Sequence, residues 1–303
     1  MSMRYLAGFI SAFYNPLKVP DAPTIGTATA GVNSASVTFT APANVGGGAI
    51  SGYSVVSTPG GFVGTGASSP VTVSGLSTGT AYTFKVFATN VYGPSLFSAA
   101  SNSVSPIAIG DAFGGGFYAG QISTAGNSIA DYNLVIGPVA SAENASKQFK
   151  TTNTSTAGAK SVIDGPANST AMNDANHPAA QFCEGLTIGG FSDWYMPATN
   201  EIEVCYYNLK PTTTSNLTSY GINANAVPAR ASNYTAGTPA QTSATAFQST
   251  GAEDFAAAFY WSSTQNSVAP LYKVIQQNFD DGNQQLADAD DSRRVRAVRR
   301  VAV

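Results

Sequence analysis

The chain has 303 residues, of which 43% are hydrophobic and only 10% charged, with fourteen Lys and Arg against seventeen Asp and Glu. Nucleic-acid binding driven by many cations on phosphates does not fit that balance, nor does a charge-rich disordered chain. One histidine and two cysteines leave little room for a Ser-His-Asp triad, a His-rich metal centre or a disulfide framework. The length suits about two domains.

Residues 1–19 open with one base, Arg4, and an apolar run. The run is short for a signal peptide and lacks a small-x-small cleavage site. Read as an extended segment, it puts Tyr5, Phe9 and Phe13 on one face and Leu6, Ile10 and Tyr14 on the other. Both faces are apolar, so it requires cover on both sides. Two readings stand: a first strand of its own chain, or an anchor inserted into a partner. No stretch of eighteen apolar residues occurs, and no membrane insertion is expected.

Residues 20–106 carry short alternating runs at 34–42, 50–57, 70–76 and 81–90, then a last run closing at 101–106. Gly46-Gly47-Gly48 and Pro59-Gly60-Gly61 supply turns between them. Short strands at this spacing predict a β-sandwich. The run from Leu76 through Gly79, Tyr82, Phe84, Val86 and Ala88 to Asn90 resembles the tyrosine-corner region of the fibronectin type III family. The resemblance implies that the Tyr82 hydroxyl returns to the backbone near Leu76, with Phe84, Val86 and Ala88 inward. The family's usual core Trp is missing, and Phe39 is expected in its place. Such a module reads as a spacer, because fold alone implies no site.

Residues 107–303 change character. Strands are expected at 111–121 and 131–139, a helix over 175–186 and a second over 199–209, with Thr199 as its cap and Ile202, Cys205, Tyr206 and Leu209 as its stripe. The stretch 212–250 has little periodicity and reads as loop. Strands return at 257–264, 271–279 and 293–301. Cys183 and Cys205 fall on the two helices and are expected to be reduced. His177 and Cys183 lie about 240° apart on a helix, which rules out a dyad.

The blocks Cys183-Glu-Gly-Leu186, Phe191-Ser-Asp193-Trp194-Tyr195-Met196-Pro197 with Glu201, Tyr260-Trp261-Ser262-Ser263-Thr264, Phe279 to Asn283, and Val295 to Arg299 resemble, in this order, the Lcl C-terminal domain family. Tyr195 stands where that family usually has Arg. The family is similar to the C-type-lectin-like fold, and such domains recur at the tips of bacteriophage fibres. The tail of the chain also resembles the variable regions made by diversity-generating retroelements. The fold expected is mainly β: a fibronectin type III sandwich followed by a C-type-lectin-like α+β domain.

Trp194 and Trp261 are expected in the core with their N–H groups on backbone carbonyls, and Asp193 and Glu201 as caps and hydrogen-bond anchors. Asp280, Asp281, Asp288, Asp290 and Asp291 lack the order of a calcium loop, so no metal and no cofactor is expected. The arginines from Arg293 to Arg300 are expected to form surface ion pairs. The candidate receptor-binding residues are Gln265, Asn266, Tyr272, Gln276, Asn278, Asp280, Gln285 and Asp288. Alternation is expected to project Tyr272, Gln276 and Asn278 together, with Leu271, Ile275 and Phe279 on the opposite face.

The function these features imply is a non-enzymatic bacteriophage virion protein, a tail-fibre or tip adhesin. Its partners would be other virion subunits and a host surface protein or glycan, with homo-oligomer formation left open. The alternatives are a capsid or tail decoration without a receptor, and a secreted extracellular bacterial adhesin. An enzyme related to formylglycine-generating enzymes would need reactive cysteines near the end of the domain, and none follows Cys205.

Overall fold

The computed structural model describes residues 18–152, 156–269 and 273–303. The N-terminal residues Tyr5, Leu6, Phe9, Ile10, Phe13 and Tyr14 lie outside the described residues, as do Leu271 and Tyr272. The chain forms two units, one ending at Ala108 and the other spanning Ile109–Val303.

The first unit contains β1 (Thr24–Gly31), β2 (Ser34–Thr40), β3 (Gly52–Thr58), β4 (Val63–Gly66), β5 (Val71–Ser74), β6 (Thr83–Asn90) and β7 (Gly93–Pro94). They make two sheets, β1-β2-β5 and β4-β3-β6-β7. Alternation buries Ala35, Val37 and Phe39 from β2 and Phe84, Val86 and Ala88 from β6 between them. Phe39 lies 4.7 Å from the Tyr53 ring, an aromatic pair in the place expected for the missing Trp. The Tyr82 hydroxyl accepts the Ser77 N–H at 3.1 Å, so the corner expected from the sequence is present.

The last run is not a regular strand. Ser95, Ser98 and Ser101 donate their N–H groups to the carbonyls of Ala88, Val86 and Phe84. Their hydroxyls accept the N–H groups of the same three β6 residues, each at 3.0 Å. Three residues of this segment therefore span two of β6. A side-chain oxygen takes the place of the carbonyl that the longer stride carries out of reach.

The second unit contains β8 (Ala112–Phe113), β9 (Gly116–Ile122), β10 (Tyr132–Ile136), α1 (Val139–Ala142), β11 (Glu143–Gln148), α2 (Gly165–Ala171), α3 (Pro178–Glu184) and α4 (Thr199–Leu209). After α4 come β12 (Ala226–Val227), β13 (Phe259–Gln265), β14 (Lys273–Asn278), β15 (Gln284–Asp288), β16 (Ser292–Arg296) and β17 (Val298–Ala302). One sheet has the order β12-β9-β10-β17, with β8 on β9, and the other β11-β16-β13-β14-β15. Ile202, Cys205 and Leu209 of α4 join Tyr260, Phe255 and Phe279 in one core cluster, while Trp194, Trp261, Cys183 and Val274 belong to a second. Both tryptophans are buried as expected, with Nε1 donating to the carbonyls of Phe191 and Lys147 at 3.1 and 2.8 Å. Cys183 and Cys205 are free and buried in different clusters, and burial pushes both thiols well above their ordinary range. No helix among the described residues is long and apolar enough to cross a membrane.

Two expectations are corrected by the C-terminal strands. Residues 293–301 are not one strand: the chain breaks at Ala297, whose N–H and C=O bond Ala142 and Gly137, and continues in the other sheet. Nor are the arginines a surface set. Arg296 is 1% exposed and donates to Gly137 O at 2.8 Å and to Glu253 at 3.0 Å. Arg299 meets Asp193 at 2.7 Å, and Arg300 meets the buried Glu201 at 2.8 Å. Desolvation makes such cations costly unless their donors are matched, and here they are matched by carboxylates and carbonyls.

Candidate functional site

The N-cap of α4 is Ala198 rather than Thr199, which is the first residue of the helix. Glu201 reaches back to accept the Ala198 N–H at 2.8 Å, and Thr199 instead contacts Ser262 and Thr264 on β13. Glu201 also accepts from the Tyr195 hydroxyl at 2.5 Å. Burial raises its carboxyl above the ordinary 4.5, and the Arg300 charge opposes that rise. This acid is a structural anchor, as expected.

The second polar stripe of α4 was not anticipated. Glu203, Tyr206 and Lys210, at positions i, i+3 and i+7, share a face and are buried. Glu203 accepts from Asn223 at 2.5 Å, from the Tyr234 hydroxyl at 2.6 Å and from the Arg230 guanidinium. Burial pushes its carboxyl up, with Arg230 pulling it back. Tyr206 and Lys210 both donate to Asn216 Oδ1, at 2.5 and 2.7 Å. The Asn216 amide in turn donates to the carbonyls of Thr235, Ala236 and Pro239. Burial lowers the Lys210 ammonium, and the nearby Asp280 and Asp281 charges oppose that shift.

These bonds fix a segment that is otherwise almost without regular structure. Between the anchors, residues 217–219, 231–233 and 235–238 are exposed. The turn after β14 closes against the same segment. Asp280 accepts from the Thr212 hydroxyl at 3.0 Å, Leu217 donates to Asp281 O at 2.9 Å, and Gly282 sits against Tyr206 and Tyr234. Gly282 has φ +79°, and a Cβ there would lie 2.7 Å from the Tyr206 ring.

The residues expected to bind a receptor divide sharply. Gln285 and Asp288 are exposed, with Asp288 paired to Lys273 at 2.8 Å. Asn266, Asn278 and Asp280 are half-buried: the Asn266 and Asn278 side chains accept backbone N–H groups of their own turns. Gln265 and Gln276 are 1% and 2% exposed, and neither forms part of the surface. Gln265 accepts the Thr156 N–H at 3.4 Å and Gln276 accepts from Arg293 at 2.9 Å. The expected projection of Gln276 is therefore reversed. Register puts Val274 with Ala287 and Gln276 with Gln285 on one face, and Val274 and Ala287 belong to the Trp261 cluster. The half-exposed face carries Lys273 and Ile275, with Leu286 exposed opposite Ile275.

Within the acidic run, Asp281 accepts the Asn283 N–H at 3.0 Å and Asp291 pairs with Arg293 at 2.7 Å. Among the described residues no group of three His, Cys, Asp or Glu could hold a metal ion.

The fibronectin type III domain model matches residues 21–104, and the Lcl C-terminal domain model matches residues 142–299. No curated protein matches the chain. Among solved structures, it is similar to titin kinase and its flanking domains, with 30% identity over 29% of this chain and 17% of that one, at a TM-score of 0.27. It is also similar to titin domains A168–A170, with 31% identity over 29% of this chain and 32% of that one and a TM-score of 0.27. For titin module A71 from human cardiac muscle the identity is 28% over 29% of this chain and 91% of the module, with a TM-score of 0.24. The chain spans less than a third of either of the first two structures. The two modules together suggest an adhesin-like or phage-associated protein. With the second model matching more than half of its residues, the chain belongs to the Lcl C-terminal domain family and carries a fibronectin type III domain ahead of that match.

Proposed function

We propose that this protein is a non-enzymatic bacteriophage virion protein, a tail-fibre or tip adhesin whose C-terminal unit binds a receptor on the host surface. The observation that carries the reading is the loop segment on α4. Glu203, Tyr206 and Lys210 hold it by buried bonds, while between the anchors the polar side chains of Thr218, Ser219, Ser232, Asn233, Thr235 and Thr238 are exposed. A rigid base under adaptable polar groups is what recognition requires, because little ordering entropy is lost on contact. The apolar N-terminal residues Tyr5, Leu6, Phe9, Ile10, Phe13 and Tyr14 would attach the chain to other virion subunits, and the fibronectin type III module would act as the spacer.

Mass spectrometry of purified particles should find the chain, and the isolated full-length protein should bind host cells and compete with particle adsorption. Deleting residues 1–17 should leave a folded protein that still binds cells but no longer joins particles. A chain absent from particles, or a folded chain that neither binds cells nor competes, overturns the reading.

A further inference from the structure

A cleft of about 260 Å³ opens beside α4, lined by Tyr207, Arg230, Ser232, Asn233, Thr235 and Thr238 among others. Its base is built rather than incidental. Asn223 and Arg230 exchange backbone hydrogen bonds at 2.9 Å, which fixes where the Arg230 side chain starts. The guanidinium then lies over the Tyr207 ring, 4.0 Å from its centroid, and pairs with the buried Glu203. Arg230 Nε is buried and has no hydrogen-bond partner among the described residues. A buried donor left unmatched is costly, and a bound acceptor would relieve that cost.

We propose that this cleft binds one neutral sugar residue. Its charge excludes the obvious alternatives. The Arg230 cation is already matched by Glu203, so no net positive charge remains for a phosphate or carboxylate. Both oxygens of Glu203 are taken by Asn223, Tyr234 and Arg230, which leaves none for a metal ion. What remains is the Arg230 N–H groups not turned to Glu203, the Asn233 amide and the hydroxyls of Ser232, Thr235 and Thr238, four exposed residues beside the half-buried Tyr207 ring. That set offers both donors and acceptors, which suits a ring bearing several hydroxyls. The cleft lies just below the range of roughly 300–1,000 Å³ that holds drug-sized ligands, so it has room for a single ring rather than a chain of them. The proposal deepens the adhesin reading, on which it rests only for the source of the sugar.

The test is a titration of the full-length, isotope-labelled protein with glucose, galactose, mannose, rhamnose and N-acetylglucosamine, and with sialic acid as the anionic comparison, read by amide shifts. At least one neutral sugar should give saturable shifts centred on residues 230–238. Ser232→Trp fills the cleft without touching Glu203 and should abolish them with the melting temperature unchanged. Arg230→Lys keeps the charge on Glu203 but removes Nε, and should weaken binding at least tenfold. The proposal is overturned if none of the five neutral sugars shifts these amides, if only sialic acid does, or if the shifts survive Ser232→Trp. The wild-type titration decides even if both variants fail to fold. Should the sugar bind in the cleft while host-cell binding is absent, the adhesin reading falls and the sugar site stands.

Discussion

Lys210 Nζ donates to Asn216 Oδ1 at 2.7 Å, and both side chains are buried. The same oxygen accepts from Tyr206, so one asparagine joins the end of α4 to the loop that follows it. Asn216→Ala would leave the Tyr206 hydroxyl, one Lys210 N–H and the Pro239 carbonyl unmatched, whereas the Thr235 and Ala236 carbonyls keep the main-chain N–H groups of Thr238 and residue 216. Each buried orphan costs about 1–3 kcal/mol, and local relaxation recovers part of the sum, so a loss of about 3 kcal/mol is expected. Hydrogen exchange should quicken at residues 217–239 before it quickens at Leu134 or Val135. Uniform protection in the variant would show that the loop is held by something else.

Gly282 and Gly190 form a matched pair. Both have positive φ, +79° and +83°, but an added Cβ at Gly190 meets nothing within 4 Å, whereas at Gly282 it meets the Tyr206 and Tyr234 rings. Gly190→Ala should cost only the left-handed backbone penalty, about 1 kcal/mol. Gly282→Ala adds overpacking and should cost about 2–4 kcal/mol. Chemical denaturation of the two variants gives the comparison, and equal losses would contradict the packing described for the turn.

Asp193 carries the pH dependence most open to measurement. Its hydrogen bond and charge contact with Arg299 hold the carboxyl below its ordinary 3.8. The folded chain therefore favours the charged form. The contribution is full above the unfolded value of 3.8 and disappears as pH falls through the lower folded value. The carboxylate is half exposed, so the pair is worth about 1 kcal/mol or less. Asp193→Asn should lower stability by that amount at pH 7, and the difference from wild type should close below pH 3.8. A gap that stays constant down to pH 2 would mean that the pair contributes nothing as an ion pair.

In the first unit, Tyr82→Phe removes only the acceptor of the Ser77 N–H. The ring stays buried and its packing is unchanged, so a loss of about 1 kcal/mol is expected in the unfolding of that unit. A change near zero would mean that water replaces the bond at no cost.

The sequence made the sandwich and α4 legible because alternation and helical spacing coincide there with burial. It hid α2, whose polar and Ala-rich residues carry no apolar stripe; the signals available were Asp164, which caps the helix through the Ala167 N–H, and Pro166 in its first turn. It hid the break at Ala297, because buried arginines look like surface ones until Glu201 and Glu253 are brought to them. In β14, Gln276 and Ile275 differ in polarity in the direction opposite to their burial, so alternation alone chose the wrong face. The polar stripe of Glu203, Tyr206 and Lys210 was present at i, i+3 and i+7. Its meaning depended on Asn216, Asn223 and Arg230 arriving from a segment with no periodicity of its own.

Asn216 grips the loop by the carbonyls of Thr235, Ala236 and Pro239, and Thr235 and Thr238 hold one another through their main chains. A main-chain grip does not read side-chain identity. Positions 231–233 and 235–238 can therefore be randomised in a library while Glu203, Tyr206, Lys210, Asn216, Asn223 and Tyr234 are kept, and most members should express with wild-type melting temperatures. Selection on such a library would explore specificities without spending its diversity on misfolded clones, and it would make this small unit a scaffold for engineered binding reagents.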